Sequence, residues 1–149
     1  MPDEAETATI SIVFVDLSGA EPDEAVSPAL PRILRLLAER DLPASFVLPP
    51  DLAAAEPFAL TLIENARHTV LGSAPTGDAY ARAGSSPAEW HVAMQQAIGA
   101  ATSSRGHTTL AFDLAAVERA DSASLLAETL DLIAGLRRAE SVKVVSFDA

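Results

Sequence analysis

The sequence predicts an α/β domain with a five-stranded, mainly parallel sheet and helices alternating between its strands. Three features lead there: apolar, β-branched runs of strand length, intervening stretches whose apolar residues repeat at helical spacing, and an overall β-α-β-α-β-α-β-α-β order that makes the crossovers helical. Five strands are too few to close an eight-stranded barrel. The expectation is therefore an open sheet or a partial, strongly curved (β/α) barrel, with the C-terminal strand ends on one shared edge.

Residues 1–7, MPDEAET, are charged and lack a periodic apolar face, and read as a flexible acidic tail ahead of a single domain over 8–149. ATISIVFVD, residues 8–16, is apolar on both faces and fits a central, doubly covered strand that ends on Asp16. Ser27-Pro28 has the form of an N-cap followed by a first-turn proline, and Leu30, Ile33, Leu34 and Leu37 share one helical face up to about Arg40. Asp41-Leu42-Pro43 breaks that helix before a short buried strand, ASFVLP, residues 44–49. Pro57 opens a second helix, with Phe58, Leu62 and Ile63 on one face, and HTVLG, residues 68–72, is the third strand.

Ser73 to Ser85 is rich in small and turn-forming residues and reads as a long loop, where function often resides. Ser86-Pro87-Ala88-Glu89 is a capping box, followed by a buried stripe of Trp90, Met94, Ala97, Ile98 and Ala101. HTTLAFD, residues 107–113, repeats the design of the first strand and closes on Asp113. Asp121 or Ser122 caps the last helix, with Leu125, Leu132, Ile133 and Leu136 facing inward, and VKVVSF, residues 142–147, is the final strand.

Composition narrows the function. With 149 residues, 49% of them hydrophobic, the chain is long enough to bury a core without staples. It has no cysteine, which excludes disulfides, thiolate zinc and a cysteine nucleophile and leaves histidine and carboxylates as metal ligands. A net charge of −11, with cations scattered apart from Arg137-Arg138, disfavours nucleic acid. No apolar run approaches membrane-spanning length and no secretory signal is evident, so the expected setting is the cytoplasm, away from membranes. Gly72, Gly77 and Gly84 are irregularly spaced, lack a following Lys-Ser/Thr pair and do not form a phosphate loop.

The run PRILRLLAERDLPASFVLPPDLAAAEPFALTLIENARHTVLGS, with the preceding strand, resembles the N-terminal part of the NodB-homology polysaccharide deacetylases, the likeness being best over residues 8–78. It implies a partial or minimised NodB-like barrel and metal-assisted hydrolysis of an N-acetyl group. In that chemistry one aspartate of a TFDDG motif is the base, its neighbour and two histidines hold a divalent metal, and a later histidine is the acid. Here TFDDG falls on Val13-Phe14-Val15-Asp16-Leu17, which puts Val15 at the base position and keeps the ligand-type Asp16. The histidine motif falls on Ser73 to Asp78, with Ala74 and Asp78 at the ligand positions, and His68 matches a structural residue ahead of it. The later acid position falls on Phe112, beside Asp113. The chain also lacks the family's central strands and arginine-bearing loop between residues 79 and 86.

The resemblance thus implies a degenerate deacetylase that has lost hydrolysis and binds a small carbohydrate-like ligand or a partner protein, or assembles as a homo-oligomer. Its candidates are Asp16 and Asp113 for residual catalysis, Ser73, Asp78, Trp90 and His91 for binding, and Asp16 with Asp78 for metal. No cofactor is expected unless a residual site holds a zinc-type divalent ion. An active metal-dependent N-deacetylase with an altered carboxylate site is the first alternative. The second is a STAS-like regulatory domain phosphorylated at Ser122, suggested by the spacing within FDLAAVERADSASLLAETL, residues 112–130, and by the preference of a helix N-terminus for added negative charge. Each residue also has a plainer role: Asp16 as a turn cap, Asp78 as a solvated loop acid, Trp90 as core, His91 as a half-exposed ring, His107 as the start of a strand and Ser122 as an N-cap.

Overall fold

The computed structural model describes residues 8–15, 30–48, 50–55, 57–72, 79–81, 86–104, 106–117 and 123–145. The elements are β1 (Ala8–Val15), α1 (Leu30–Arg40), β2 (Ser45–Val47), α2 (Pro50–Ala55), α3 (Pro57–Asn65), β3 (Thr69–Leu71), β4 (Ala79–Ala81), α4 (Pro87–Ser104), β5 (His107–Asp113), a single turn α5 (Leu114–Val117), α6 (Ala123–Arg138) and β6 (Val142–Val145). Every strand pairing is parallel, in the order β3-β2-β1-β5-β4, with β6 also against β1.

The alternation and the central place of β1 agree with the sequence pattern. β5 runs along one whole edge of β1, from Thr9↔His107 to Val15↔Asp113. The other edge is divided: β6 takes Ala8 to Ser11, and β2 takes Val13 and Phe14. Six strands are present where five were expected, because Ala79–Ala81, inside the segment read as loop, pairs with Leu110 to Phe112 of β5. Three residues carry too little periodicity to announce a strand. The long free edge of β5 makes it one.

The two sheet faces differ. Ile10, Ile12, Phe14, Phe46, Leu110 and Phe112 gather with the buried residues of all the major helices, among them Leu30, Ile33 and Leu37 of α1, Trp90, Met94 and Ile98 of α4, and Leu126, Leu130 and Ile133 of α6. The opposite face carries a small separate cluster of Val13, Val15, Val47 and Leu71, with Tyr80 against it. Among the described residues, helices thus cover one face only. That is the layout of an opened barrel, with an outer helical layer and an inner strand face, rather than of a sheet wound on both sides.

Local chemistry sets the helix ends. Ser86 Oγ accepts from the Glu89 amide at 3.2 Å and donates to Glu89 Oε1 at 3.0 Å, so Ser86 is the N-cap of α4 and Glu89 folds back onto its hydroxyl. Three helices close on the same motif without glycine: Asp41, Arg67 and Glu140 have φ of 53°, 66° and 63°. At each, the next amide reaches five residues back, Leu42 to Leu37 at 3.0 Å, His68 to Ile63 at 3.2 Å and Ser141 to Leu136 at 2.9 Å. The expected caps at Ser27-Pro28 and Asp121-Ser122, and the acidic tail, lie outside the described residues.

Candidate functional site at the C-terminal sheet edge

Parallel strands bring their C-terminal ends to one edge, so the registers specify what lines it. Val15 is beside Asp113, Val47 is beside Leu71, and continuing the β1–β2 register sets Val15 beside Val47. The last inner row therefore reads Asp113, Val15, Val47, Leu71. Val15 is 3% exposed, and Val47 and Leu71 are buried with it. A carboxylate is held at one end of three aliphatic side chains.

Asp113 is partly buried and accepts a hydrogen bond from the Tyr80 hydroxyl at 2.9 Å. Tyr80 is in register with Ala111, one inner row below, and reaches up to the acid. Tyr80 has no place among the sequence candidates because Ala79–Ala81 lies in a segment with the composition of a loop. The available signal was the chain's single tyrosine between two alanines, a large side chain flanked by small ones.

The neighbouring Phe112 occupies the position that the resemblance gives to the acid, but strand alternation turns it to the outer face. Its ring stacks on Phe14 at 5.4 Å between centroids and meets Trp90 edge-on at 6.1 Å, while Phe14 stacks on Phe46 at 5.1 Å. Trp90 is likewise buried in that core, and its indole Nε1 has no hydrogen-bond partner among the described residues. His91, partly buried, lies with Nε2 3.5 Å from Glu128 of α6. Neither ring reaches the sheet edge row.

The remaining histidines are structural in geometry. His68 Nδ1 accepts the Ala44 amide at 3.1 Å and its ring packs on Phe46 at 5.5 Å; burial holds its pKa below the ordinary histidine value. His107 starts β5, and its Nε2 lies 2.7 Å from Ser11 Oγ. Asp16, Ser73, Asp78 and Ser122 lie outside the described residues.

Among the described residues no three His, Asp or Glu side chains gather where they could hold a metal ion. The described part of the edge does not fit a divalent cation, which needs several oxygen or nitrogen donors, because it supplies one carboxylate among valine and leucine. Also among the described residues, no helix is long and apolar enough to cross a membrane.

This helix-clad, one-faced parallel sheet has the fold of the family 4 carbohydrate esterases, the NodB-homology deacetylases. A mutant of a family 4 carbohydrate esterase pseudoenzyme from Bacillus anthracis superposes with TM-score 0.55 at 11% identity, over 95% of this chain and 66% of that one. A peptidoglycan N-acetylglucosamine deacetylase gives 0.52 at 13% identity, over 95% and 86%. A family 4 carbohydrate esterase from Bacillus anthracis gives 0.52 at 12%, over 95% and 81%. This chain spans just under two thirds of the pseudoenzyme's length, and at these identities the likeness is one of fold. No protein-family model matches the sequence, and no curated protein matches it.

Proposed function

We propose that this chain is a deacetylase-like domain that has lost hydrolysis and uses its C-terminal sheet edge to bind a small carbohydrate-type ligand or a partner protein. The observation that carries this is Val15. It stands at the position the resemblance assigns to the proton acceptor, 3% exposed, and it packs with Val13, Val47 and Leu71. An aliphatic side chain in a packed row takes up no proton, and Phe112, at the acid position, faces the core. Tyr80 and Asp113 then supply a fixed hydroxyl–carboxylate pair beside an apolar strip, a combination that suits the polar edges and apolar faces of a sugar ring.

The cytoplasmic setting and self-association belong to the same proposal. The phosphoserine reading depends on Ser122, outside the described residues, and no observation here favours it. Calorimetric titration with N-acetylglucosamine oligomers, paired with an acetate-release assay in zinc, cobalt or manganese, tests the reading. Saturable binding lost in Asp113→Asn, without acetate, supports it. Metal-stimulated acetate release overturns it, and absence of both assigns the edge to a protein partner, to be sought by pull-down from the source cell. Light scattering at micromolar concentration tests self-association, which a clean monomer removes.

A further inference from the structure

The outer face of α4 differs from the rest of this charged surface. The helix runs 18 residues, Pro87–Ser104, with one charged side chain, Glu89 in its first turn, in a chain of which 21% is charged and which carries −11 overall. Trp90, Met94, Ile98 and Ala101 hold it to the core, and helical periodicity then gathers Ala88, Val92, Gln95, Gln96, Gly99 and Ser103 on the opposite side, all of them exposed. A solvent-facing stripe normally carries charge, and this one carries none. Val92 is 49% exposed, and Leu132 of α6, 39% exposed, flanks it. Both helices return between parallel strands and so run parallel; His91 meets Glu128, and one turn further along each lie Gln95 and Leu132.

Packing within the chain does not require glycine at position 99. It lies mid-helix, where glycine costs stability against alanine, its φ is not positive, and a Cβ built on it would meet nothing within 4 Å. The hydroxyls beside it are used locally: Thr102 and Ser103 both donate to the Gly99 carbonyl, at 2.8 and 3.3 Å. The stripe is therefore a bare stretch of backbone at one end, a branched apolar side chain at the other and two amides between them.

We propose that this face pairs with the same face of a second copy, α4 against α4, antiparallel about a two-fold axis between Gln95 and Gln96. That axis sets Val92 of each copy opposite Gly99 of the other, Ala88 opposite Ser103, and Gln95 opposite Gln96. The protruding side chain enters the gap that glycine leaves, and the amides, each both donor and acceptor, meet at the axis. Glu89 falls opposite Thr102, so no acid of α4 faces another, and Glu128 stays at the rim beside His91. Two copies at −11 repel over most of their surface, and an uncharged face is where that repulsion is weakest; interface centres are likewise poor in charge. The pairing gives a location to the self-association included in the proposed function and is independent of what the sheet edge binds.

Sedimentation velocity of the full chain, from micromolar to millimolar concentration, is expected to show a monomer–dimer equilibrium. Gly99→Glu, which favours the helix and has open space around it, should weaken the dimer by about tenfold or more, and Val92→Lys, on an exposed side chain, should weaken it as well. An equal mixture of the two variants should recover a dimer, because the axis brings the new ammonium against the new carboxylate. Phe58→Ser, at the exposed Phe58 of α3, should leave the equilibrium unchanged. A chain that stays monomeric throughout overturns the proposal and leaves the face to a different protein; a dimer that Gly99→Glu leaves intact, or a mixture that fails to recover, overturns it too. Calorimetric titration at the sheet edge is unaffected by any of these results, so the two readings fail separately.

Discussion

Restoring an acid at Val15 tests whether the C-terminal edge is a dormant catalytic row or a packed one. Val15 is 3% exposed, in a row with Val47 and Leu71 and in register with Asp113. Val15→Asp removes a fully buried side chain, a loss of about 2 kcal/mol, and inserts a carboxyl between the aliphatic Val47 and the like-charged Asp113, adding about 1–3 kcal/mol. A total near 3–5 kcal/mol is a large part of the roughly 5–15 kcal/mol that holds a domain together. The sign with pH follows from where the proton goes. Burial and the neighbouring Asp113 raise the new group's folded pKa above its unfolded value, so the folded state holds the proton more tightly and stability falls as pH rises through the folded pKa. Urea denaturation at pH 4.5 and pH 7.5 reads both effects: the variant should lose more, relative to the parent, at pH 7.5. A variant of parental stability at both pH values that gains metal-dependent acetate release would refute the reasoning, since it would mean that the row opens to water and a metal.

Three further outcomes are expected. His68 accepts the Ala44 amide through Nδ1 and has its pKa lowered by burial, so its contribution is complete above the ordinary histidine pKa and is lost as pH falls through the lowered folded value; in His68→Asn, which keeps an acceptor near the same place, urea midpoints should decline less between pH 7 and pH 5. Arg67 and Glu140 sit at φ of 66° and 63°, where a side chain costs energy that glycine avoids, so Arg67→Gly and Glu140→Gly should each stabilise by about 0.5–1 kcal/mol, read as a higher thermal midpoint. Tyr80→Phe deletes the 2.9 Å bond to Asp113 and should cost about 1–2 kcal/mol in denaturation, while weakening any ligand that uses the pair.

Local pattern accounts for much of the architecture. β1 and β5 are legible as buried central strands because each is an apolar run of strand length, and the Ser86–Glu89 cap is legible because its spacing is its mechanism. β4 was not legible: Ala-Tyr-Ala has no pattern of its own and becomes a strand only against β5. The same holds for the helix ends at Asp41, Arg67 and Glu140, where no glycine announces the left-handed turn and hydrogen bonds from the following residue impose it.

By itself the sequence determined the alternation of strand and helix, the acidic charge and the presence of valine and phenylalanine where the resemblance expects a base and an acid. Tertiary structure decided how those residues are used. Pairing and alternation turn Val15 inward and Phe112 outward, and join Tyr80 to Asp113 from another strand. Side-chain identity is local information, whereas facing and proximity come from register, which exists only once strands far apart in the chain have paired.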